Sequence, residues 1–503
     1  MLLLFVVMGA GGCQRDPGAE CVGQWAQQGG NALRADCTAG EVRYWRADRP
    51  EEVWATDPGT TGSTMAVMVA DTEYHYTLDD GGQTVEGTLR TGSLPPALER
   101  LTIDVRIRDG ARLDYLLVDA ACAAGGDGEL GYLVLLDAAG DIVWYERVPD
   151  ATGQPARKVN GYDLMHDEPV VITDYDTVTR VGWDGSLEPI LSFDGCDGDG
   201  EAAGPCAHHE ILPAGDDLWT LTSTVEDHDE PPCSPDNDRF VLDAVSRIGP
   251  DGDVTSHTLD DLGLHPAEDP GPFPACGSAA YYDGVFPAVD DLLPWDHAHV
   301  NGVLPWPDPL GDTVLLSLRA WDAIVAADLS SDTVLWTLEG LGADTGRGDL
   351  LWQLAPGLEA DPFGFETVSG QHHLLALEDG RLQAFDNQVR SDSPARIIRF
   401  TVDSDAGVAT IDEVLGVTDY DGNGLRCTHM GSAYPLGGVD HVVAVCAAEG
   451  VIAELVAGDL PAWEARISCQ EGTLYGLYRA VPVDRPGATL WTGEEGAARA
   501  SGR

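Results

Sequence analysis

From about residue 100 onward one short pattern recurs: an apolar strand, a small polar turn, and a second strand that often carries tryptophan. It reads YLVLLDAAGDIVWYERV (132–148), VVITDYDTVTRVGWDGSLEPIL (170–191), DAVSRIGPDGDVTSHTL (243–259), AIVAADLSSDTVLWTLEG (323–340) and RIIRFTVDSDAGVATIDEVL (396–415), with Trp144, Trp183 and Trp336 on the second strands. Such units are degenerate repeats of one four-stranded sheet. A ring of such sheets covers its own edges, which makes the chain an all-β protein built on a β-propeller. Units fall at 115–150, 158–195, 207–262, 297–342, 372–418 and 428–470, with 472–483 as a closing strand, so six blades are predicted. A seventh would have to hide in the insert between 262 and 297, whose Pro, Gly and Asp content reads as loop. The 60 glycines and 31 prolines fit many short strands joined by turns.

Ahead of the repeat, residues 22–98 alternate apolar and polar positions in short runs, with a hairpin at 71–95 around Asp-Asp-Gly-Gly. This reads as a small β-sandwich, and its segments NALRADC, TEYHYTL and GTLRTGSLP resemble a fibronectin-type-III module with Tyr74 or Tyr76 as its core tyrosine. Its expected role is packing. The propeller is expected over 99–490 and a flexible tail over 491–503.

The first 13 residues, MLLLFVVMGAGGC, have the apolar run and small-residue end of a signal peptide. Ala10-Gly11-Gly12-Cys13 resembles a bacterial lipobox, which predicts lipidation at Cys13, a tether over 14–21, and an exported protein of the periplasm, outer membrane or cell surface. Ten cysteines remain, an even number that suits disulfides in an oxidising compartment. Local spacing pairs Cys21 with Cys37, Cys196 with Cys206 and Cys233 with Cys276, and leaves Cys122, Cys427, Cys446 and Cys469 open.

Formal charge is −57, and Lys158 is the only lysine. No basic stripe exists for nucleic acid or an anionic lipid surface, so neither is an expected partner. The acidity reads as a solubility adaptation, and a homo-oligomer is compatible with it. An anionic substrate would need a locally positive pocket.

Four units begin with histidine at or just ahead of the innermost strand: His208 and His209, His297 and His299, His372 and His373, and His429. In a propeller the first strand of each blade lines the central channel, so these residues converge at one mouth. Arg319 is expected on the second strand of the fourth unit. Clustered imidazoles can ligate metal, or they can handle an anion with one imidazole as nucleophile. A guanidinium beside the cluster disfavours a metal and favours an oxyanion.

WDHAHVNGV with LLSLRAWDAIVAADL and VLWTLEG, followed by GQHHLLALEDGRLQAFDN, resembles the bacterial arylsulfate sulfotransferases. The resemblance is most specific over 206–222, 295–338 and 370–400. It implies a β-sandwich joined to a six-bladed propeller, and transfer of sulfuryl groups from aryl sulfates to phenols without a nucleotide donor or required cofactor. It places His372 on the transiently sulfated histidine, His299 and Arg319 on the sulfate-binding pair, and His209 on the earlier channel histidine. Asn301, His208, His373, His429 and Tyr434 are the expected substrate contacts around them. Trp321, Phe385, Tyr475 and Tyr478 join Tyr434 as an aromatic wall. The chain has no P-loop, in keeping with a nucleotide-free donor.

Asp419, Asp421 and Asn423 match the first half of a calcium loop, although Met430 stands at its twelfth position. The stretch 194–201 is a weaker acidic turn of the same kind, and His166 reads as structural. The function of another class that the sequence allows is a surface binding or adhesion propeller whose histidines ligate metal or pack. Hydrolysis of the same esters by water is a third reading.

Overall fold

The computed structural model describes residues 26–28, 32–35, 42–56, 63–65, 67–79, 84–123, 130–193, 196, 205–227, 239–264, 277–278, 294–296, 298–308, 311–340, 348–358, 367–391, 393–484 and 488–490. The signal peptide, Cys13, the tether, the tail, His297 and the Cys21–Cys37 and Cys233–Cys276 pairs lie outside these residues. So does the acidic stretch 194–201, except Cys196. The chain forms two compact units, one from residues before 94 together with 183–185 and the C-terminal segment from 485, the other from 94–182 and 186–484.

The smaller unit holds two antiparallel sheets. One runs Ala26–Gln28, Ala32–Ala35, Ser63–Met65, and the other Ala488–Leu490, Arg49–Thr56, Val42–Arg46, Glu73–Asp79, Thr84–Arg90. Tyr44, Tyr74 and Tyr76 are all buried, and the rings of Tyr44 and Tyr74 lie 6.2 Å apart. Alternation along Glu73–Asp79 supplies that face, because successive strand side chains point to opposite sides.

The larger unit is almost entirely antiparallel sheet, and its one described α-helix is the four-residue Pro96–Glu99. From inner to outer strand, the second sheet runs Val159–Met165, Glu168–Thr173, Thr177–Val181, Leu187–Ser192, and the fourth Val300–Pro305, Thr313–Leu318, Ala323–Asp328, Thr333–Glu339. The third begins at Cys206–Ala214 and the fifth at His372–Ala376. The sixth runs from Ser432–Pro435 outward through His441–Cys446, Val451–Val456 and Trp463–Cys469, and Leu101–Ile107 adds a fifth strand. In the first sheet the C-terminal Thr473–Val483 is innermost, paired with Tyr115–Ala123. The unit's two chain ends are thus interlocked in neighbouring sheets. Each innermost strand touches the next, in the order of the sheets and back to the first.

Strands such as Val170–Val171–Ile172 and Val314–Leu315–Leu316 are fully buried, which explains their continuous apolar runs. Trp144 and Trp336 are buried on strands as expected, whereas Trp183 falls in the turn after Thr177–Val181. The described parts of the 262–297 insert, Gly277–Ser278 and Trp295–Asp296, extend the third sheet, with Trp295–Asp296 parallel to Phe240–Val241. Leu351–Leu354 adds a parallel outer strand to the fifth sheet that the repeat pattern does not announce.

Three disulfides lie among the described residues. Cys196 pairs with Cys206 as its spacing suggested, and the undecided four resolve into Cys122–Cys469 and Cys427–Cys446. Cys122–Cys469 joins the first and sixth sheets across 347 residues of sequence.

Candidate active site

Register breaks recur at the same end of the innermost strands. Pairing shifts between Val159 and Gly161, His208 and Ile211, Val300 and Gly302, His372 and Leu374, and Gly476 and Ala480. A bulge turns side chains out of the alternating pattern and is common next to active sites. His209, His299, His373, Met430 and Leu477 there have positive φ, between 48° and 62°. Each such residue costs on the order of 1–3 kcal/mol unless its surroundings enforce it.

These breaks open onto a cavity of about 370 Å³ lined by His209, His299, His372, His429 and Arg319. Four histidines and the arginine named from sequence therefore meet in one place. The rings of His209 and His299 lie 4.9 Å apart, edge to face. Arg319 sits in the turn just after Thr313–Leu318 rather than on the strand, and its backbone N–H donates to the His299 carbonyl at 3.1 Å.

His372 is 2 % exposed. Its Nδ1 donates to the Gly370 carbonyl at 3.0 Å and to Asn387 Oδ1 at 2.7 Å. The orientation of Asn387 is fixed, because its Nδ2 donates to the carbonyls of Cys427 at 2.6 Å and Met430 at 2.7 Å. Two acceptors on Nδ1 require the proton there, which leaves a lone pair on Nε2. Burial and then Arg319 hold the His372 pKa well below 6.5, so the ring is neutral near pH 7. Gly370 is itself anchored by its N–H on Asp322 Oδ1 at 2.7 Å, and Asp322 pairs with Arg390.

His299 Nδ1 lies 2.6 Å from Asp296 Oδ2, which directs its other nitrogen away from that carboxylate. His209 has its pKa lowered strongly by burial first and then by His208, His299, His372 and Arg319. His429 is at the exposed rim, its pKa lowered by partial burial and by Arg319.

Four residues expected as substrate contacts stand behind the cavity wall instead. Asn301 is buried and donates from Nδ2 to the Gln371 carbonyl at 2.8 Å, which fixes the residue before His372. His373 is turned the opposite way from its neighbour, accepting at Nδ1 from the Ala433 N–H at 3.1 Å and packing 4.4 Å from the Tyr434 ring. Tyr434 faces Arg479 and Asp163. His208 is fully buried against Ser223 and Asp243.

Tyr475 and Tyr478 line the cavity. Phe385 is buried beneath Gly431, and Trp321 packs beside the core between the third and fourth sheets. The wall also includes Tyr175, Lys158, Asn160 and Asp119, none of them expected at the site from sequence. Lys158 Nζ donates to the Tyr175 hydroxyl at 2.6 Å. The second sheet starts with Val159 and Asn160 in the register of the histidines, so their place in the repeat is the signal that marks them. Asp119 comes from the second strand of its sheet, and burial pushes its pKa up to about 7 against the opposing Tyr162 hydrogen bond.

The calcium-like turn draws Asp419, Asp421 and Asn423 together through hydrogen bonds within the turn. Asp419 Oδ1 accepts from the N–H groups of Asp421 and Asn423 at 3.0 and 2.8 Å, and Asp421 pairs with Arg106 at 3.1 Å. No group of three or more His, Cys, Asp or Glu among the described residues is arranged to hold a metal.

The sequence matches the family model described as Arylsulfotransferase (ASST) over residues 124–413, more than half of the chain. The chain belongs to the arylsulfotransferase family. Membership supports sulfotransferase activity, with aryl sulfates and phenols as the substrates, and together with the disulfides it suggests an exported protein. No curated protein matches the sequence. Among solved structures, apo AztD from Citrobacter koseri is 10 % identical with a TM-score of 0.30, over 90 % of this chain and 98 % of that one. BamB from Moraxella catarrhalis is 13 % identical with a TM-score of 0.31, over 77 % of this chain and 98 % of that one. Likenesses at that level carry no functional information. For this arylsulfotransferase, no described helix is long and apolar enough to cross a membrane.

Proposed function

We propose that this arylsulfotransferase moves a sulfuryl group from an aryl sulfate ester to a phenol through a sulfohistidine at His372, without a nucleotide donor. One observation carries the reading: the Nδ1 proton of His372 is committed to two carbonyl oxygens while the ring lines a cavity shared with Arg319. A neutral imidazole with a bare Nε2 is a competent nucleophile. In the first half-reaction the Nε2 lone pair forms an N–S bond and the S–O bond to the phenolate breaks. The sulfated ring keeps its Nδ1 proton and becomes cationic, and the Gly370 and Asn387 carbonyls stabilise that charge. Arg319 and His299 take the sulfuryl oxygens as negative charge spreads over them. A second phenol then attacks sulfur, and the N–S bond breaks.

Tyr475 and Tyr478 offer aromatic faces to the aryl group. Against a net charge of −57, Arg319 and the sole lysine in one cavity supply the local positive field that an anionic donor needs.

The six sheets of the larger unit, read as blades of one propeller, account for the convergence of histidines far apart in sequence, with the module at 22–98 a fibronectin-III-like sandwich. Export with a lipid on Cys13 would hold the enzyme at the cell envelope.

The test is incubation with 4-nitrophenyl sulfate and phenol. Nitrophenol release that depends on the acceptor and is abolished by His372→Ala supports the reading. Release independent of acceptor indicates hydrolysis, and unchanged turnover in the variant overturns the role of His372.

A further inference from the structure

His208 does not line the cavity, yet a continuous set of hydrogen bonds connects it to the cavity wall. Its Nδ1 is 2.6 Å from the Nδ1 of His209, and its Nε2 is 2.5 Å from Ser223 Oγ and 3.3 Å from Asp243 Oδ1. Ser223 donates its one hydroxyl proton to Asp243 Oδ1 at 2.5 Å, and Asp243 Oδ2 accepts from the Val300 N–H at 2.8 Å. Ser223 Oγ must therefore accept from His208, which places a proton on His208 Nε2. All of these groups except His209 are buried at 1 % exposure or less.

Two Nδ1 atoms at 2.6 Å hold one proton between them. With that proton on His208, the His208 ring is an imidazolium facing the Asp243 carboxylate, and His209 carries its own proton on Nε2. With the proton on His209 Nδ1, His208 is neutral and His209 Nε2 is a bare acceptor at the cavity wall. The second arrangement holds one proton fewer, the one that leaves from His209 Nε2, and His209 is neutral in both.

We propose that Asp243 and His208 form a proton relay behind His209, which lets His209 protonate the departing phenolate and deprotonate the incoming phenol. The relay rests on the sulfotransfer reading above. As the S–O bond of the donor breaks, the phenolate oxygen takes the proton from His209 Nε2, and His209 Nδ1 takes one from His208 Nδ1. In the second half-reaction the acceptor hydroxyl gives its proton to His209 Nε2 and His209 returns one to His208, so the cycle consumes and releases none. The positive charge rests on His208 beside Asp243, away from Arg319, where a second cation would be unfavourable. Burial opposes an ionised Asp243, but the His208 and Ser223 hydrogen bonds outweigh it and hold its pKa below the usual carboxylate value.

The groups facing His209 are His208, His299, His372, Arg319 and Tyr478, and those facing His208 are His209, Ser223 and Asp243. His208 and Asp243 touch no reacting atom and act as positioning residues.

The test compares kcat/KM for 4-nitrophenyl sulfate and for phenyl sulfate, with a fixed phenol acceptor, in wild type, His208→Gln and Asp243→Asn. Nitrophenolate leaves without a proton and phenolate does not, so the relay predicts a loss on phenyl sulfate at least tenfold larger than on 4-nitrophenyl sulfate. The pH profile on phenyl sulfate should also shift in His208→Gln. Equal losses on both donors, or no loss on either, overturn the relay. If His208→Gln fails to fold, Asp243→Asn carries the same comparison, since asparagine can still accept from Val300. A wild type without sulfotransfer would sink the underlying reading. An active wild type whose variants do not discriminate between donors sinks the relay alone.

Discussion

Asn387 Oδ1 accepts from His372 Nδ1 at 2.7 Å, and this contact decides which nitrogen of His372 is available for chemistry. The same asparagine ties the fifth sheet to the loop before the sixth through the Cys427 and Met430 carbonyls. Replacing it by leucine frees the tautomer and strands two buried carbonyls. Turnover should fall about 100-fold or more, KM should change little, and stability should drop by about 1–3 kcal/mol. Steady-state kinetics and urea unfolding of Asn387→Leu check both.

In the proposed reaction Arg319 holds the sulfuryl oxygens through a planar fork, which lysine lacks. Arg319→Lys keeps the charge, so it separates charge from geometry. The expected loss in kcat/KM on 4-nitrophenyl sulfate is about 100-fold, with Arg319→Ala losing more. A lysine variant close to wild type would mean that a point charge suffices.

His373 isolates one buried imidazole for a pH measurement. Burial first, then Arg479, hold its pKa well below 6.5. Below pH 6.5 the unfolded chain takes up the proton before the folded one, so the stability it contributes is fully present above that pH. It is lost as pH falls toward the folded pKa, at up to about 1.4 kcal/mol per pH unit. The difference in unfolding free energy between wild type and His373→Gln should be flat above pH 6.5 and shift toward the variant below it. The difference is the quantity to measure, because Asp119, Glu210 and Asp386, raised by burial to about 7, lose their contribution as pH rises through that range in both proteins.

Cys122–Cys469 fastens the first sheet to the sixth, beside the strand that closes the ring. A crosslink over 347 residues removes much of the unfolded chain's freedom. The double alanine variant should lose about 6 kcal/mol on the loop-entropy scale, read by urea unfolding under oxidising conditions.

Much of this was legible because the blade pattern is local. The strand–turn–strand period placed His209, His299, His372 and His429 in one register without any knowledge of contacts, and that register holds in the cavity. What it missed follows from the bulges. A bulge of one residue swaps inward for outward, so of the adjacent pairs His208–His209 and His372–His373 only His209 and His372 reach the cavity. Spacing alone cannot tell those neighbours apart. Lys158, Asn160 and Tyr175 carry no imidazole to mark them, although a sole lysine just ahead of an innermost strand is visible in the sequence. The pairing of Cys122, Cys427, Cys446 and Cys469 depends on which sheets adjoin at ring closure, and local spacing does not encode that.

The most direct test of the central claim is a rapid-quench reaction of wild type with 4-nitrophenyl sulfate and no acceptor, followed by peptide mapping. The account predicts a burst of nitrophenol close to one equivalent per chain and a sulfuryl adduct on the peptide containing His372, at His372 itself. The absence of a burst, or an adduct on any other residue, would contradict it.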